Sequence, residues 1–189
     1  MSRVADRLPL PAPGTAPYHV VLVCLGNICR SPMADVVLGA RLAAAGLDDE
    51  VLVESAGTGH WHVGDPMDRR AAALLTTHGY DASRHRARQL DPAWFDRADL
   101  VLAMDADNLE DVRGLAGDAG VADPVSVVRL FRDLDPAATT ADRDVPDPYY
   151  GGDDGFAVVL AMVERTSDAL VGELERLLHP APLGEPAGG

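Results

Sequence analysis

Short apolar runs alternate with helical stripes along most of the chain. The runs predict buried strands at residues 18–23, 51–55, 100–103 and 126–131. The stripes, in which apolar residues recur three and four positions apart, predict helices at residues 32–45 and 67–78, a third near residue 107 and a long one at residues 156–178. Because strands that alternate with helices form parallel sheets, we expect one α/β domain, with a four-stranded parallel sheet and helices on both faces.

Residues that favour helix ends support these boundaries. Ser31 and Pro32 suit the N-cap and the first position of the first helix. Gly46 suits the left-handed cap at the end of the same helix. Asp107, with Glu110 three residues later, suggests a capping box for the third helix.

The length of 189 residues fits one domain with its own core and is short for two. We expect that domain to cover residues 18–179. Residues 1–17 are rich in proline and lack an apolar stretch long enough for a signal peptide, so we expect a disordered tail there and a second one at residues 180–189. No run approaches the roughly 20 apolar residues of a membrane helix, and we expect no membrane segment.

The charge and the cysteine content narrow the class of protein further. A formal net charge of -14 argues against binding nucleic acid, because neutralising phosphates needs an excess of Lys and Arg. The chain has two cysteines, five positions apart in one loop, which is not the disulfide framework of a secreted domain. We therefore expect a cytoplasmic protein. The sequence leaves the oligomeric state open, and we expect a monomer.

The loop between the first strand and the first helix carries the candidate chemistry. Backbone N–H groups and the positive end of the helix dipole point into it, which makes it an anion site. A thiolate at Cys24 would be stabilised there, so Cys24 is a candidate nucleophile. Arg30 can take two oxygens of a phosphoryl group with its planar fork, and the Ser31 hydroxyl can hydrogen-bond to the Cys24 sulfur.

Each of these residues has an ordinary interpretation when it is taken alone. A lone Cys after a strand is most often a small buried hydrophobe, and a lone Arg is a surface residue. The spacing Cys-x5-Arg-Ser, with Gly26 and Asn27 between strand and helix, favours the catalytic interpretation.

Residues 24–32 resemble the signature loop of the low-molecular-weight protein tyrosine phosphatases. Further matches follow in order along residues 18–178, and they are Ser55-Ala56-Gly57-Thr58, Trp61-His62-Val63-Gly64, His85-Arg86-Ala87-Arg88-Gln89, Ala103-Met104-Asp105 and Asp147-Pro148-Tyr149-Tyr150-Gly151. The resemblance implies a hydrolase that removes phosphate from phosphotyrosine in proteins through a cysteinyl-phosphate intermediate. It also implies that the backbone of Leu25, Gly26, Asn27, Ile28, Cys29 and Arg30 binds the phosphate.

The resemblance further implies which carboxylate acts as the general acid and base. Five aspartates crowd one loop, so turn chemistry alone cannot select among them; they are Asp142, Asp144, Asp147, Asp153 and Asp154. The family's acid is the Asp of Asp-Pro-Tyr-Tyr, which is Asp147 here. Without that match, Asp147 and Pro148 are equally well explained as a simple turn.

Aromatic residues match the family's substrate pocket. Trp61, Tyr149 and Tyr150 would hold a phosphotyrosine ring between flat apolar faces, at a depth that phosphoserine cannot reach. Leu25 and Ile28 would supply the apolar floor. Family members that act on phosphoarginine tend to carry Thr where this chain has Ile28, so Ile28 favours aryl phosphates.

Asn27, Ser55 and His85 match a hydrogen-bond network that supports the loop in the family. Taken alone, His85 among its neighbouring arginines is a solvated basic patch. Asp105 also matches a family position, although a helix-capping role explains it as well. No Cys or His pair has metal-ligand spacing, and we expect neither a metal nor another cofactor.

Three questions stay open at the level of sequence. Cys29 either protects Cys24 through a reversible disulfide or packs under the loop as a buried thiol. Arsenate reductases share the loop and fold, but they need further cysteines that this chain lacks. A phosphotyrosine-binding module without catalysis is the other alternative, and the presence of Cys24, Arg30 and Asp147 weighs against it.

Overall fold

The computed structural model describes residues 8–11 and 16–180. Its strands are β1 (Tyr18–Cys24), β2 (Val51–Gly57), β3 (Leu100–Ala103) and β4 (Val128–Leu130). Its helices are α1 (Arg30–Ala45), α2 (Arg69–Thr77), α3 (Ala106–Asp118), α4 (Pro124–Val127) and α5 (Asp153–Leu178), and short 3-10 helices lie at Pro92–Asp96 and Phe131–Leu134.

The four strands form one parallel sheet in the order β2-β1-β3-β4, which confirms the predicted α/β fold. The chain passes from β1 to β2 on one side and then returns to β3 on the other side of β1. The carboxyl end of β1 is therefore the topological switch point of the sheet, where ligands bind in folds of this type.

Alternate residues of β1 bury into two different cores. Val20 and Leu22 are fully buried in the core that contains residues of α1, α2 and α5. Val21 and Val23 are fully buried in the core that contains residues of α3 and Trp94. Because successive side chains of a strand point to opposite faces, β1 is covered on both faces, as its continuous apolar run predicts.

The predicted end of α1 is confirmed, but its predicted start is wrong. Gly46 caps α1 in the left-handed conformation, with φ 72°. The helix begins at Arg30, with Cys29 in the N-cap position, so Ser31 lies in the first turn. The Ser31 hydroxyl therefore does not cap the helix, and it donates to the Cys24 sulfur at 3.0 Å.

Other boundaries also differ from the predicted ones. The N-cap of α3 is Asp105 and not Asp107, because the Asp105 carboxylate accepts a hydrogen bond from the Asn108 N–H at 2.7 Å. The fourth strand keeps only Val128–Leu130, since α4 takes the residues before it and a 3-10 helix follows it. Short apolar stretches do not distinguish strand from helical turn by their period alone.

Part of the predicted N-terminal tail packs against the domain. Leu8 is buried in the core that α1 and α5 share, and the Tyr18 hydroxyl donates to the Pro9 carbonyl at 3.0 Å. The remaining predicted tail, at residues 1–7, 12–15 and 181–189, lies outside the described residues. Within the described part of the chain, no helix has both the length and the apolar character needed to cross a bilayer.

Candidate active site

Most carbonyl groups of the loop between β1 and α1 accept hydrogen bonds from residues that surround the loop. Each of five consecutive or nearly consecutive carbonyls accepts a hydrogen bond; the pairs are Cys24 with Thr58 N–H at 2.9 Å, Leu25 with Gly59 N–H at 2.8 Å, Asn27 with His85 Nε2 at 2.7 Å, Ile28 with Asp68 N–H at 2.8 Å and Cys29 with Met33 N–H at 3.1 Å. Asn27 adopts the left-handed conformation, with φ 53°. Apart from the Asn27 N–H, which donates to the Cys24 sulfur, the amide groups of the loop are thereby left to an anion.

The Cys24 sulfur receives two hydrogen bonds from its own loop. The Asn27 N–H lies 3.3 Å from Cys24 Sγ, and the Ser31 hydroxyl lies 3.0 Å from it. Ser31 is itself held by the Asn27 side-chain amide, at 2.9 Å. These hydrogen bonds hold the sulfur in a fixed position at the floor of the anion-binding loop.

Arg30 is buried and held by three acceptors. Its Nη1 donates to the Asp105 carboxylate and to the Val145 carbonyl, and its Nη2 donates to Asp147 Oδ2 at 3.1 Å. Burial alone would lower the pKa of Arg30, but the Cys24 sulfur and the two carboxylates raise it overall. The guanidinium therefore stays charged and in a fixed orientation.

The geometry distinguishes Asp147 from the neighbouring aspartates. Asp142 pairs with Arg132, at 2.9 Å, and Asp144 accepts from the Ala106 N–H at 3.1 Å. Asp147 Oδ2 instead contacts Arg30, and its Oδ1 accepts from the Tyr149 N–H at 3.1 Å. Asp147 thus lies beside the anion loop with its side chain 37% exposed.

A cavity of about 330 Å³ opens over the loop. It brings together nearly all of the predicted reacting, phosphate-binding and pocket residues, and its lining consists of Cys24, Leu25, Gly26, Ile28, Cys29, Arg30, Trp61, His62, Asp147, Tyr149 and Tyr150. Trp61 is 65% exposed and Tyr150 is 93% exposed. Large apolar side chains so open to solvent, gathered at one cavity, mark a binding surface.

Of the three predicted supporting residues, Asn27 lies in the loop and His85 contacts the loop directly. His85 donates from Nε2 to the Asn27 carbonyl, because a carbonyl can only accept, and Asn27 Oδ1 accepts from the Arg88 N–H at 2.8 Å. Burial lowers the pKa of His85, which favours its neutral form. The Ser55 hydroxyl differs from the expectation, since it donates to Asp35 Oδ2 at 2.8 Å.

Sequence reasoning missed the contributions of His62 and Asp68. His62 lines the cavity beside Trp61, and its position next to that residue was the available signal. The Asp68 N–H supports the Ile28 carbonyl, and its carboxylate caps α2. Among the described residues, no group of three or more His, Cys, Asp or Glu side chains is arranged to hold a metal ion.

A parallel α/β sheet with a cysteine and an arginine in one anion-binding loop at its switch point, and an aspartate beside them, is the arrangement expected of a phosphatase. Comparison with known proteins agrees with this class. The family model described as low molecular weight phosphotyrosine protein phosphatase matches residues 19–179. The chain belongs to that family.

Individual relatives cover most of the chain. A low molecular weight protein-tyrosine-phosphatase from Streptomyces coelicolor is 51% identical over 154 residues, which are 82% of this chain and 92% of that protein. The low molecular weight protein-tyrosine phosphatase A of Mycobacterium tuberculosis is 45% identical over 78% of this chain and 86% of its own length. The crystal structure of YfkJ from Bacillus subtilis superposes with a TM-score of 0.77, at 32% identity, over 87% of this chain and 98% of that one.

Proposed function

We propose that this phosphatase hydrolyses phosphotyrosine in proteins through a cysteinyl-phosphate intermediate. Cys24 is the nucleophile, Arg30 is the phosphate clamp, and Asp147 is the general acid and base. The observation that carries the proposal is that these three side chains line one cavity. In it, Arg30 contacts Asp147, and two donors from the loop hold the Cys24 sulfur.

The reaction begins when the phosphate dianion enters the loop. Its oxygens accept from the loop N–H groups and from the fork of Arg30, which is already held in place by Asp105. Since an arginine that is fixed before binding loses little freedom on binding, the clamp acts without reorganisation.

The Cys24 thiolate then attacks phosphorus in line with the departing oxygen. The S–P bond forms while the P–O bond to the tyrosine breaks, and Asp147 gives its proton to the leaving phenolate oxygen. The equatorial oxygens stay bound to the loop and to Arg30 as negative charge develops.

Hydrolysis of the intermediate restores the enzyme. A water molecule attacks phosphorus, Asp147 takes its proton, and the S–P bond breaks to release inorganic phosphate and the Cys24 thiolate. The residues of the chain supply both proton transfers in these two steps.

The cavity supports an aromatic substrate. Trp61, Tyr149 and Tyr150 line it as walls, and their exposure leaves room for a ring to insert. Ile28 also lines it, and an apolar side chain there suits an aryl phosphate better than a phosphoguanidinium. We propose that this geometry favours phosphotyrosine over phosphoserine and phosphoarginine.

The same chemistry suggests where the protein works. A free Cys24 thiolate needs a reducing compartment, and both cysteines are free thiols in the structure. We propose that the enzyme acts in the cytoplasm as a monomer, since one chain provides every residue of the reaction, and that it ends tyrosine phosphorylation signals.

Replacing the nucleophile tests the proposal. Cys24→Ser should abolish turnover of para-nitrophenyl phosphate, since a serine hydroxyl in this loop has no activating base. Inorganic phosphate should still raise the Tm of the variant, which shows that the loop remains folded. Turnover near that of the wild type would overturn the mechanism, and a wild type without turnover would leave a phosphotyrosine-binding module.

A second assay separates the reductase alternative from the hydrolase. Arsenate reduction needs further cysteines to pass a disulfide outward, and the chain has two cysteines in all, both in the loop. We expect a thioredoxin-coupled assay with arsenate to show no turnover. Turnover comparable to that with aryl phosphates would favour the reductase.

A further inference from the structure

We infer that Arg70 is a positioning residue for the general acid. It links the backbone beside Asp147 to Asp68, which itself contacts the anion-binding loop. The inference rests on the proposed role of Asp147 and adds a residue that acts through it.

Arg70 binds the acid-bearing segment through two backbone carbonyls. Its Nη2 donates to the Tyr149 carbonyl at 3.0 Å, and its Nη1 donates to the Gly151 carbonyl at 3.3 Å. The guanidinium also lies over the rings of Tyr149, at 5.8 Å, and Phe156, at 4.6 Å. One side chain of α2 thus holds the segment after Asp147 against the start of α5.

Tyr149, whose carbonyl Arg70 binds, also orients the Asp147 carboxylate. The Tyr149 N–H donates to Asp147 Oδ1 at 3.1 Å, while the Tyr149 carbonyl accepts from Arg70. Tyr149 is therefore fixed on both sides of its backbone. A shift of Tyr149 would move the donor that sets the direction of the Asp147 carboxylate.

Asp68 anchors Arg70 to the anion-binding loop. The Asp68 carboxylate accepts from Arg70 Nε at 3.1 Å and from Arg70 Nη2 at 3.0 Å, and its side chain is only 12% exposed. The Asp68 N–H in turn donates to the Ile28 carbonyl at 2.8 Å. A continuous set of hydrogen bonds therefore runs from the loop that holds the phosphate, through Asp68 and Arg70, to the segment that carries the acid.

This connection has a specific kinetic consequence. A general acid matters most when the leaving group is a poor one, and phenol, with a pKa of about 10, resembles tyrosine in this respect. A dinitrophenolate leaves without needing a proton. Misplacing Asp147 should therefore slow phenyl phosphate strongly and dinitrophenyl phosphate little, whereas general damage to the cavity would slow both substrates equally.

The experiment measures kcat/KM for both substrates in five enzymes. These are the wild type, Arg70→Met, Arg70→Lys, Asp147→Asn and the double variant Arg70→Met/Asp147→Asn. For Arg70→Met we expect a loss of about tenfold with phenyl phosphate, a part of the hundredfold or more that a general acid contributes, and a loss under about twofold with dinitrophenyl phosphate. Arg70→Lys keeps the positive charge without the planar fork, so its kcat/KM for phenyl phosphate should fall between those of the wild type and Arg70→Met.

The double variant tests whether Arg70 acts through Asp147. In the Asp147→Asn variant, the further substitution Arg70→Met should lower kcat/KM for phenyl phosphate by less than about twofold, because the effects of substituting residues that act as a unit are not additive. An equal loss with both substrates, or a full tenfold further loss in the double variant, would overturn the inference. The two variants of Arg70 keep the test decisive if one of them fails to fold.

Arg69 provides a matched control on the same helix. It is exposed, lies in the same groove as Arg70, and its side chain makes no hydrogen bond or ion pair with any described residue. Arg69→Met removes the same charge and should leave kcat/KM unchanged for both substrates. If Asp147→Asn itself slows both substrates equally, the acid assignment fails together with the inference; a selective loss in Asp147→Asn without one in Arg70→Met overturns only the inference.

Discussion

Asn27 makes four of the contacts that shape the anion-binding loop. Its N–H and its side-chain amide donate to Cys24 Sγ and Ser31 Oγ, while its side-chain oxygen and its carbonyl accept from Arg88 and His85. It also adopts a left-handed φ of 53°, which Asn tolerates better than most residues. A single buried residue, through its backbone and its side chain, thereby joins Cys24 to the segment at residues 85–88.

Removing the proposed acid should strongly lower activity on a substrate whose leaving group needs a proton. For Asp147→Ala we expect kcat/KM for phenyl phosphate at neutral pH to fall by on the order of a hundredfold, the usual contribution of a general acid. Steady-state kinetics with phenyl phosphate measure the loss, and a loss under threefold would assign the proton transfer to another group.

Cys29 should protect the nucleophile from irreversible oxidation. Burial raises the pKa of Cys29 to about 12, so it stays a thiol and does not itself react with peroxide. Once Cys24 is oxidised to a sulfenic acid, the Cys29 thiol can condense with it, releasing water and forming a disulfide that added thiol reduces.

The Cys29→Ser variant tests this protection. After the same peroxide exposure, dithiothreitol should restore most of the activity of the wild type and several-fold less of the variant's. Equal recovery in the two proteins would contradict the protective disulfide and leave Cys29 as a packing residue. The untreated variant, measured in parallel, corrects for any effect of the substitution on turnover.

The residue types of the loop are sufficient to single out Cys24 and Arg30, and the resemblance to the family singles out Asp147, but other site residues have no such signal. Arg70 contacts backbone carbonyls that lie about 80 positions away in the chain, and no local pattern encodes such a contact. Ser55 was assigned to the loop by resemblance, whereas its hydroxyl lies next to Asp35. Hydrogen-bond partners depend on packing, which a sequence pattern does not specify.

At the scale of secondary structure, the positions of the elements are predicted better than the residues at which they begin and end. The residues of β3 and the end of α5 lie where the apolar pattern placed them. The N-terminus of α1 was missed by two residues because the anion loop itself provides the first helical turn, so that Ser31 serves the sulfur instead of capping the helix. Function here overrides an ordinary capping preference.

Gly57, at the end of β2, is required by its closeness to the loop. A Cβ atom there would lie 2.7 Å from the Leu25 carbonyl and 3.1 Å from the Asn27 nitrogen, both backbone atoms. We expect Gly57→Ala to cost about 1–3 kcal/mol, as overpacking does, and to weaken phosphate binding because the loop must shift. Thermal unfolding with and without phosphate measures both effects.

Gly39, inside α1, is the matched control for that substitution. A Cβ at Gly39 would meet no atom within 4 Å, so Gly39→Ala should stabilise the protein by up to about 1 kcal/mol through helix propensity. Phosphate binding should be unchanged. A Gly57→Ala variant as stable as the wild type would show that the loop has more freedom than its contacts indicate.

At the scale of the whole molecule, the alternation of strands and helices was enough to predict a parallel sheet, but not the strand order. The order β2-β1-β3-β4 follows from which faces pack together, and Val20 to Val23 are equally apolar whichever neighbours they take. The central place of β1 is what puts the loop after it at the switch point.

The region that leads to Asp147 is held by a buried ionic cluster around Asp135. Its carboxylate accepts from Arg165, at 2.6 and 2.7 Å, and from Arg132 at 3.0 Å. Hydrogen bonds from Arg165 are the main reason that the pKa of Asp135 falls from 3.8 to about 2. Since the folded pKa is lowered, the cluster contributes stability above pH 4 and loses it as the pH falls towards 2.

Asp135→Asn should therefore destabilise the protein most at neutral pH. The lowered pKa corresponds to about 2 kcal/mol, and the difference in unfolding free energy between wild type and variant should narrow as the pH drops from 5 to 2. Denaturant unfolding across that range measures it. Asp168→Asn, which removes an exposed partner of Arg41, is the control and should cost less than about 1 kcal/mol. A difference that does not change with pH would exclude the ionised carboxylate as its cause.

The packing of Leu8 and Pro9 on the domain sets where the protein can be shortened. A shortened chain that starts at Tyr18, where the apolar pattern begins, would lack Leu8, which is buried in the core, and Pro9, whose carbonyl accepts from the Tyr18 hydroxyl. Tyr18 begins the central strand β1, and Cys24 ends it, so the lost contacts would belong to the strand that leads into the anion-binding loop. We therefore expect a shortened chain to keep its stability only if it begins at or before Leu8, well ahead of residue 19, where the match to the family model begins.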